Sequence, residues 1–168
     1  MEYKNNIIQF KTALDDGMFY GYASVFNVVD SYNDIIVNGA FKKAIDNKDN
    51  IKLCWQHNIN DVIGKFVNIR EDSVGLYVEG KINIEENKKI YSLVKGEFVN
   101  GLSIGYTVND CYFDKKNRRI LTNINLKEIS IVAFPANKHS NILYCKSNDT
   151  ELKKANDIID KLINVFNV

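Results

Sequence analysis

Runs rich in β-branched and aromatic residues recur along almost the whole chain, each closed by a polar turn, and this pattern dictates a β-dominated fold. Tyr3 to Lys11 and Met18 to Phe26 are the first two runs, with Asp15, Asp16 and Gly17 between them, and they predict an antiparallel hairpin. Val28 to Val37 is a polar-interrupted connection. Phe41, Ala44 and Ile45 then keep helical spacing in a short helix ending near Asn47, and Ile51 to Gln56 returns to strand. Val62 to Arg70 and Val74 to Ile84, split by Glu71, Asp72 and Ser73, predict a second hairpin. Phe98 to Val108, Cys111 to Phe113, Arg119 to Thr122 and Leu126 to Phe134 follow as strands. Asp114 to Asn117 makes a polar hairpin tip, and the single proline, Pro135, ends the series.

Two further segments change period. Between Glu85 and Lys95, Ile90, Leu93 and Val94 share one helical face, acidic residues open the segment, and Gly96 stands where a C-terminal cap belongs. From Asp149 to Val168, Leu152, Ala155, Ile159, Leu162 and Phe166 form one stripe behind a capping-box spacing of Asn148 and Glu151. Six or more strands with two or three helices predict a mainly β (α+β) fold, a closed or partly open antiparallel β-barrel with peripheral helices. The barrel domain is expected over 1–147, with the amphipathic helix 148–168 belonging to the same domain or its interface.

At 168 residues the chain is sized for one compact domain, and 45% hydrophobic residues suffice for a core. Lys plus Arg (22) nearly cancel Asp plus Glu (21), so no strong field recruits nucleic acid or an anionic membrane. No stretch reaches the ~18 apolar residues of a membrane span, and a signal-peptide core is not seen, so a cytosolic protein is expected. Cys54, Cys111 and Cys145 are odd in number and widely spaced, which argues against a disulfide framework or zinc site and predicts buried, hydrophobe-like thiols.

Three segments could carry chemistry. Gly101-Leu102-Ser103-Ile104-Gly105 fits the G-x-S-x-G nucleophile elbow. That elbow requires a helix immediately afterwards, yet Tyr106, Thr107 and Val108 continue a strand, which places an α/β-hydrolase esterase third among the readings. On a strand, Ser103 shares a bare face with Gly101 and Gly105, leaving room for a peptide backbone; the alternative is a glycine pair packed against another backbone. His57 ends the strand Cys54-Trp55-Gln56 and can reach a neighbouring strand, while Cys54, three residues earlier, points to the opposite face. Glu128 opens an otherwise apolar run and shares its face with Ser130, Val132 and Phe134. A carboxylate so placed needs a donor or a cation, either Arg118 or Arg119 in a salt bridge, or an imidazole that it orients as in serine-protease triads.

Taken in order, WQHN, GLSIGY and LKEISIVAFPAN resemble the prohead serine protease family of tailed bacteriophages, the capsid maturation proteases. Gly21 to Phe26 followed by Asp30 and Asp34, Asn38 to Phe41, and Gly75 to Gly80 extend the match over about 18–140. The resemblance implies a herpesvirus-assemblin-like barrel and a serine endopeptidase that cleaves phage major capsid protein or scaffold. Its expected place is the immature prohead in the bacterial host cytoplasm. It implies Ser103 as nucleophile, His57 as general base and Glu128 as third member. His139 is the alternative third member, because assemblin-like enzymes are also known with a second histidine there. No metal or organic cofactor is implied. The turn near Arg118 and Arg119 is a candidate for the oxyanion donors; the C-terminal stripe either covers the barrel or contacts a second subunit or the scaffold, and the resemblance to assemblins favours a homo-oligomer. The competing function is a non-enzymatic capsid-assembly or scaffold-binding barrel with a protease-like fold.

Overall fold

The structure is a computed structural model that describes residues 16–46 and 48–145. The expected strand from Tyr3 to Lys11 and the helix at 148–168 lie outside the described residues. Within them the elements run β1 (Met18–Val25), β2 (Asp34–Ile36), α1 (Lys42–Ile45), β3 (Lys52–Trp55), β4 (Asn58–Glu71), β5 (Gly75–Ile82), α2 (Lys88–Lys95), β6 (Gly101–Phe113), β7 (Arg119–Val132) and β8 (Ile142–Cys145). The paired runs expected at Phe98–Phe113 and Arg119–Phe134 are thus two long strands, β6 and β7, kept continuous by irregularities after Gly105, Val108 and Asp110. Each irregularity bends the hairpin rather than ending it.

One sheet carries the fold, in the order β2-β7-β3-β4-β5-β1-β8, with β6 on the other edge of β7. It is mainly β, with few helices, and curls into an open half-barrel. Segment 140–142 touches both rims: Leu102 N–H donates to Ser140 O (3.0 Å), Ile142 N–H to Asn100 O (2.8 Å) and Tyr22 N–H to Asn141 O (3.1 Å). Not every pairing is antiparallel, because β2 and β3 both run parallel to β7. Only strands joined by a tight turn are obliged to run antiparallel, and long stretches of chain separate β2 and β3 from β7.

Strand alternation sorts β1 into two faces. Phe19 and Ala23 enter the main core with Phe41, Leu53, Leu76, Leu102, Ile129 and Ile131, whereas Tyr20 and Tyr22 join Val74 and Tyr77 in a smaller cluster. Gly96 is the C-cap of α2 as expected, at φ −81°, and the left-handed conformation falls on the next residue, Glu97, at φ 59°. Gly96 also answers a packing need, since a Cβ there would sit 2.6 Å from the Phe98 ring. Of the thiols, Cys54 is buried as expected but Cys111 is exposed on the outer half of β6.

Candidate active site

Strand β7 lies between the strand that delivers His57 and the strand that carries Ser103. On one edge β3 runs beside it with Cys54 opposite Ser130 and Trp55 opposite Ile131. On the other edge β6 pairs Ser103 with Ser130 and Gly105 with Glu128. The chain leaves β3 through two successive left-handed residues, Gln56 (φ 51°) and His57 (φ 61°). That conformation costs roughly 1–2 kcal/mol for each non-glycine residue. Two hydrogen bonds to β7 hold it: Gln56 N–H to Ile131 O (3.0 Å) and His57 N–H to Ser130 Oγ (3.1 Å).

This turn points the imidazole back over β7. His57 Nδ1 lies 2.7 Å from Glu128 Oε1, and Nε2 lies 3.0 Å from Ser103 Oγ. A carboxylate only accepts, so Nδ1 carries the proton and Nε2 is left to accept from the Ser103 hydroxyl. Ser103 and Glu128 are each 5% exposed, while the His57 side chain is 45% exposed and faces solvent. The hydrogen bond to Glu128 raises the His57 pKa above its ordinary 6.5; burial opposes the rise and the charge of Glu128 adds to it. The second carboxylate oxygen, Oε2, accepts from Ser130 Oγ at 2.5 Å.

The three residues singled out by sequence are therefore in one hydrogen-bonded line. No contact links the His139 ring to them; that residue is exposed, its backbone N–H donating to Asn137 Oδ1. Of the two readings of the glycines, close packing describes them, not a bare landing surface for a peptide. A Cβ on Gly105 would collide with Glu128 Oε1, and one on Gly101 would press on Val132 O and the Pro135 ring. Gly105 thus makes room for the carboxylate, and Gly101 packs against backbone. An elbow-type hydrolase is ruled out, since β6 runs on to Phe113 without a helix.

Neither arginine meets Glu128. Arg118 Nε and Nη2 hold Asp114 Oδ2 at 2.7 and 2.6 Å, and Arg119 binds Asp34 with both Nε (2.8 Å) and Nη2 (2.5 Å). Their backbone amides are engaged as well, Arg118 N–H with Asp114 Oδ1 and Arg119 N–H with Asn33 O. The backbone N–H of each arginine is thus engaged within the fold.

Sequence reasoning missed two features. Ser130 sits two residues from Glu128, and the shared face was legible from strand alternation, but its bond to the histidine backbone was not. The second feature is a brace in the same cleft, an opening of about 850 Å³ lined by Ser103, His57, Tyr106, Arg119, Asp34 and the 134–137 segment. Asp34 is 3% exposed and accepts from Tyr106 Oη (3.3 Å) as well as from Arg119. That pairing raises the pKa of Arg119 further, through the hydrogen bonds to Asp34 first.

Residues 6–155 match the family model described as caudovirus prohead serine protease. Over 148 residues the chain is 37% identical to the prohead protease of Enterobacteria phage HK97, covering 84% of this chain and 66% of that protein. Over 131 residues it is 29% identical to the prohead protease of Escherichia phage T5, covering 76% and 62%. The chain spans just under two thirds of the length of these relatives. Among solved structures its fold is similar to the bacteriophage T4 capsid assembly protease gp21, with TM-score 0.59 at 10% identity over 74% of this chain and 92% of that one. It is also similar to KSHV protease in complex with a hexapeptide phosphonate inhibitor, with TM-score 0.55 at 10% identity over 86% and 75%.

Proposed function

This chain belongs to the caudovirus prohead serine protease family, and on that premise we propose that it is a serine endopeptidase working through Ser103, His57 and Glu128. Its substrate is then phage capsid or scaffold protein, cleaved inside the immature prohead in the host cell. The observation that carries the reading is the continuous Ser103–His57–Glu128 hydrogen-bonded line, with distances of 3.0 and 2.7 Å.

In this mechanism Ser103 Oγ attacks the scissile carbonyl carbon while its proton passes to His57 Nε2. Glu128 stabilises the imidazolium so formed. As the tetrahedral intermediate collapses, His57 returns that proton to the leaving amine, and the acyl group remains on Ser103 as an ester. Water then attacks the ester, losing a proton to His57, and the product acid leaves as Ser103 recovers its hydroxyl. Every step uses this chain's own side chains and water. A non-enzymatic capsid-binding barrel would have no use for an imidazole held in this tautomer against a serine. The same reading takes the sheet as a barrel closed at 140–142, supported by the bonds that segment makes to both rims, and assigns the stripe at 148–168 to contacts between copies.

Ser103→Ala tests the nucleophile. The protein should keep its fold by circular dichroism, because one oxygen is removed beside strand backbone, and capsid-precursor cleavage should fall by about 10⁶-fold. Mass spectrometry after treatment with a peptidyl phosphonate should find the label on Ser103 in the parent protein and none in the variant. Cleavage retained by the variant would sink the assignment.

A further inference from the structure

We propose that Ser130 is a positioning residue for the His57–Glu128 pair, a buried hydroxyl that both aims the carboxylate and pins the backbone from which the imidazole projects. The kinetic consequence rests on the protease reading above; the geometry does not. Ser130 is 0% exposed and its Oγ makes two contacts of opposite sense. It accepts from His57 N–H at 3.1 Å and donates to Glu128 Oε2 at 2.5 Å. An amide N–H can only donate, so the single hydroxyl proton is committed to the carboxylate and the rotor has one orientation.

That commitment has two effects. With Oε2 tethered, the carboxylate plane is fixed, and Oε1 stays in line with Nδ1 instead of turning away. Bonds from a hydroxyl to a carboxylate are among the stronger ones, so the tether resists thermal rotation. Meanwhile the accepted bond fastens His57 at its left-handed turn, where no regular strand pairing is available to do so. In the strand register Ser130 lies opposite Cys54 on β3 and Ser103 on β6. It therefore stands at the one position on β7 that faces both the strand leading to the base and the residue bearing the nucleophile.

A serine that merely filled space here would leave the charge balance of His57 alone. A serine that holds Oε1 in line with Nδ1 maintains the hydrogen bond that raises the His57 pKa. Its removal should lower that pKa toward its ordinary value, by less than Glu128→Gln, which removes the charge as well. The two substitutions thus shift one group in the same direction by different amounts.

The decisive measurement is the titration of His57 by NMR in a Ser103→Ala background, where no cleavage interferes. The chain has two histidines, so the resonance needs only to be told from that of His139. Adding Ser130→Ala should move the midpoint to lower pH. With Ser103 intact, Ser130→Ala should lower kcat by about ten- to a hundredfold per titrated active site. KM should stay within about twofold, and the acid limb of kcat/KM should move down with the NMR midpoint. Ser130→Cys keeps the volume but donates weakly, and should give the same direction if the alanine variant does not fold. A midpoint that stays in place or moves up overturns the proposal. If the midpoint moves down while the parent protein cleaves nothing, the protease reading fails and the positioning role stands.

Discussion

Two buried carboxylates hold side chains that line the cleft, and their partners differ in one decisive respect. Glu128 meets an imidazole, whose ordinary pKa of 6.5 that contact raises and which keeps nearly half its side-chain surface in solvent. Asp34 meets a guanidinium and a phenol, neither of which exchanges a proton in the physiological range. Each carboxylate is almost shut from water and each accepts bonds on both oxygens. Burial and saturation alone therefore do not mark a carboxylate for proton chemistry; the partner's pKa does. One corner of the cleft can change charge during a reaction, and the other holds its charge fixed and shapes the wall.

The largest effect that would break this contrast lies at Glu128. Glu128→Gln should lower kcat by about 10⁴-fold, because a neutral amide cannot stabilise the imidazolium formed during attack. Since Glu128 is what raises the His57 pKa, the acid limb of kcat/KM should shift to lower pH, toward 6.5. The stability that the pair contributes follows the same group: it is full below 6.5 and is lost as pH rises through the elevated folded-state pKa. Urea unfolding of parent and variant at several pH values reads it, and a stability gap that widened on the alkaline side would contradict the pairing.

A smaller effect is expected at Asp34, and of a different kind. Asp34→Asn should cost about 2 kcal/mol in urea unfolding, because an amide N–H₂ faces the guanidinium where a carboxylate had accepted two bonds. The solvent reaching Arg119, 39% exposed, keeps that cost below the value for a fully buried pair. The acid limb should stay where it is in the parent. A limb displaced by Asp34→Asn would mean that the two corners are coupled and the contrast is false. The smallest effect belongs to His139→Ala, with stability within about 0.5 kcal/mol of the parent and kcat/KM within about twofold. Were it instead to reproduce the loss expected of Glu128→Gln, the third member of the triad would be His139.

Ser103, His57 and Glu128 were each marked by local pattern, and it was the family resemblance that joined them into one site. Ser103 and Glu128 sit on strands whose alternation can be read directly, and His57 stands at a strand end where a turn can redirect it. The tethers around them depend on register, which no local window contains. Whether Gly105 left room for substrate or packed against a neighbour stayed open because its partner, Glu128, lies across a hairpin whose register no local window contains. Likewise the strand Asp34–Ile36 was lost inside a polar connection, being three residues long and stabilised by parallel pairing with a distant strand. The salt-bridge alternative for Glu128 could have been set aside for Arg118 from the sequence, since Asp114 four residues earlier is well placed to capture both its amide and its guanidinium.

The central place of β7 also fixes when the chemistry can begin. Ser103 and His57 are 46 residues apart in sequence and His57 and Glu128 are 71 apart, so no local hairpin brings them together. The β6–β7 hairpin can form early, since its strands adjoin, but it holds only Ser103 and Glu128. His57 joins them when β3 docks parallel to β7, a pairing of high contact order that is intrinsically slow to close. In a partly folded chain Ser103 therefore lacks its imidazole neighbour, and the chemistry proposed for this site waits on the docking of that strand.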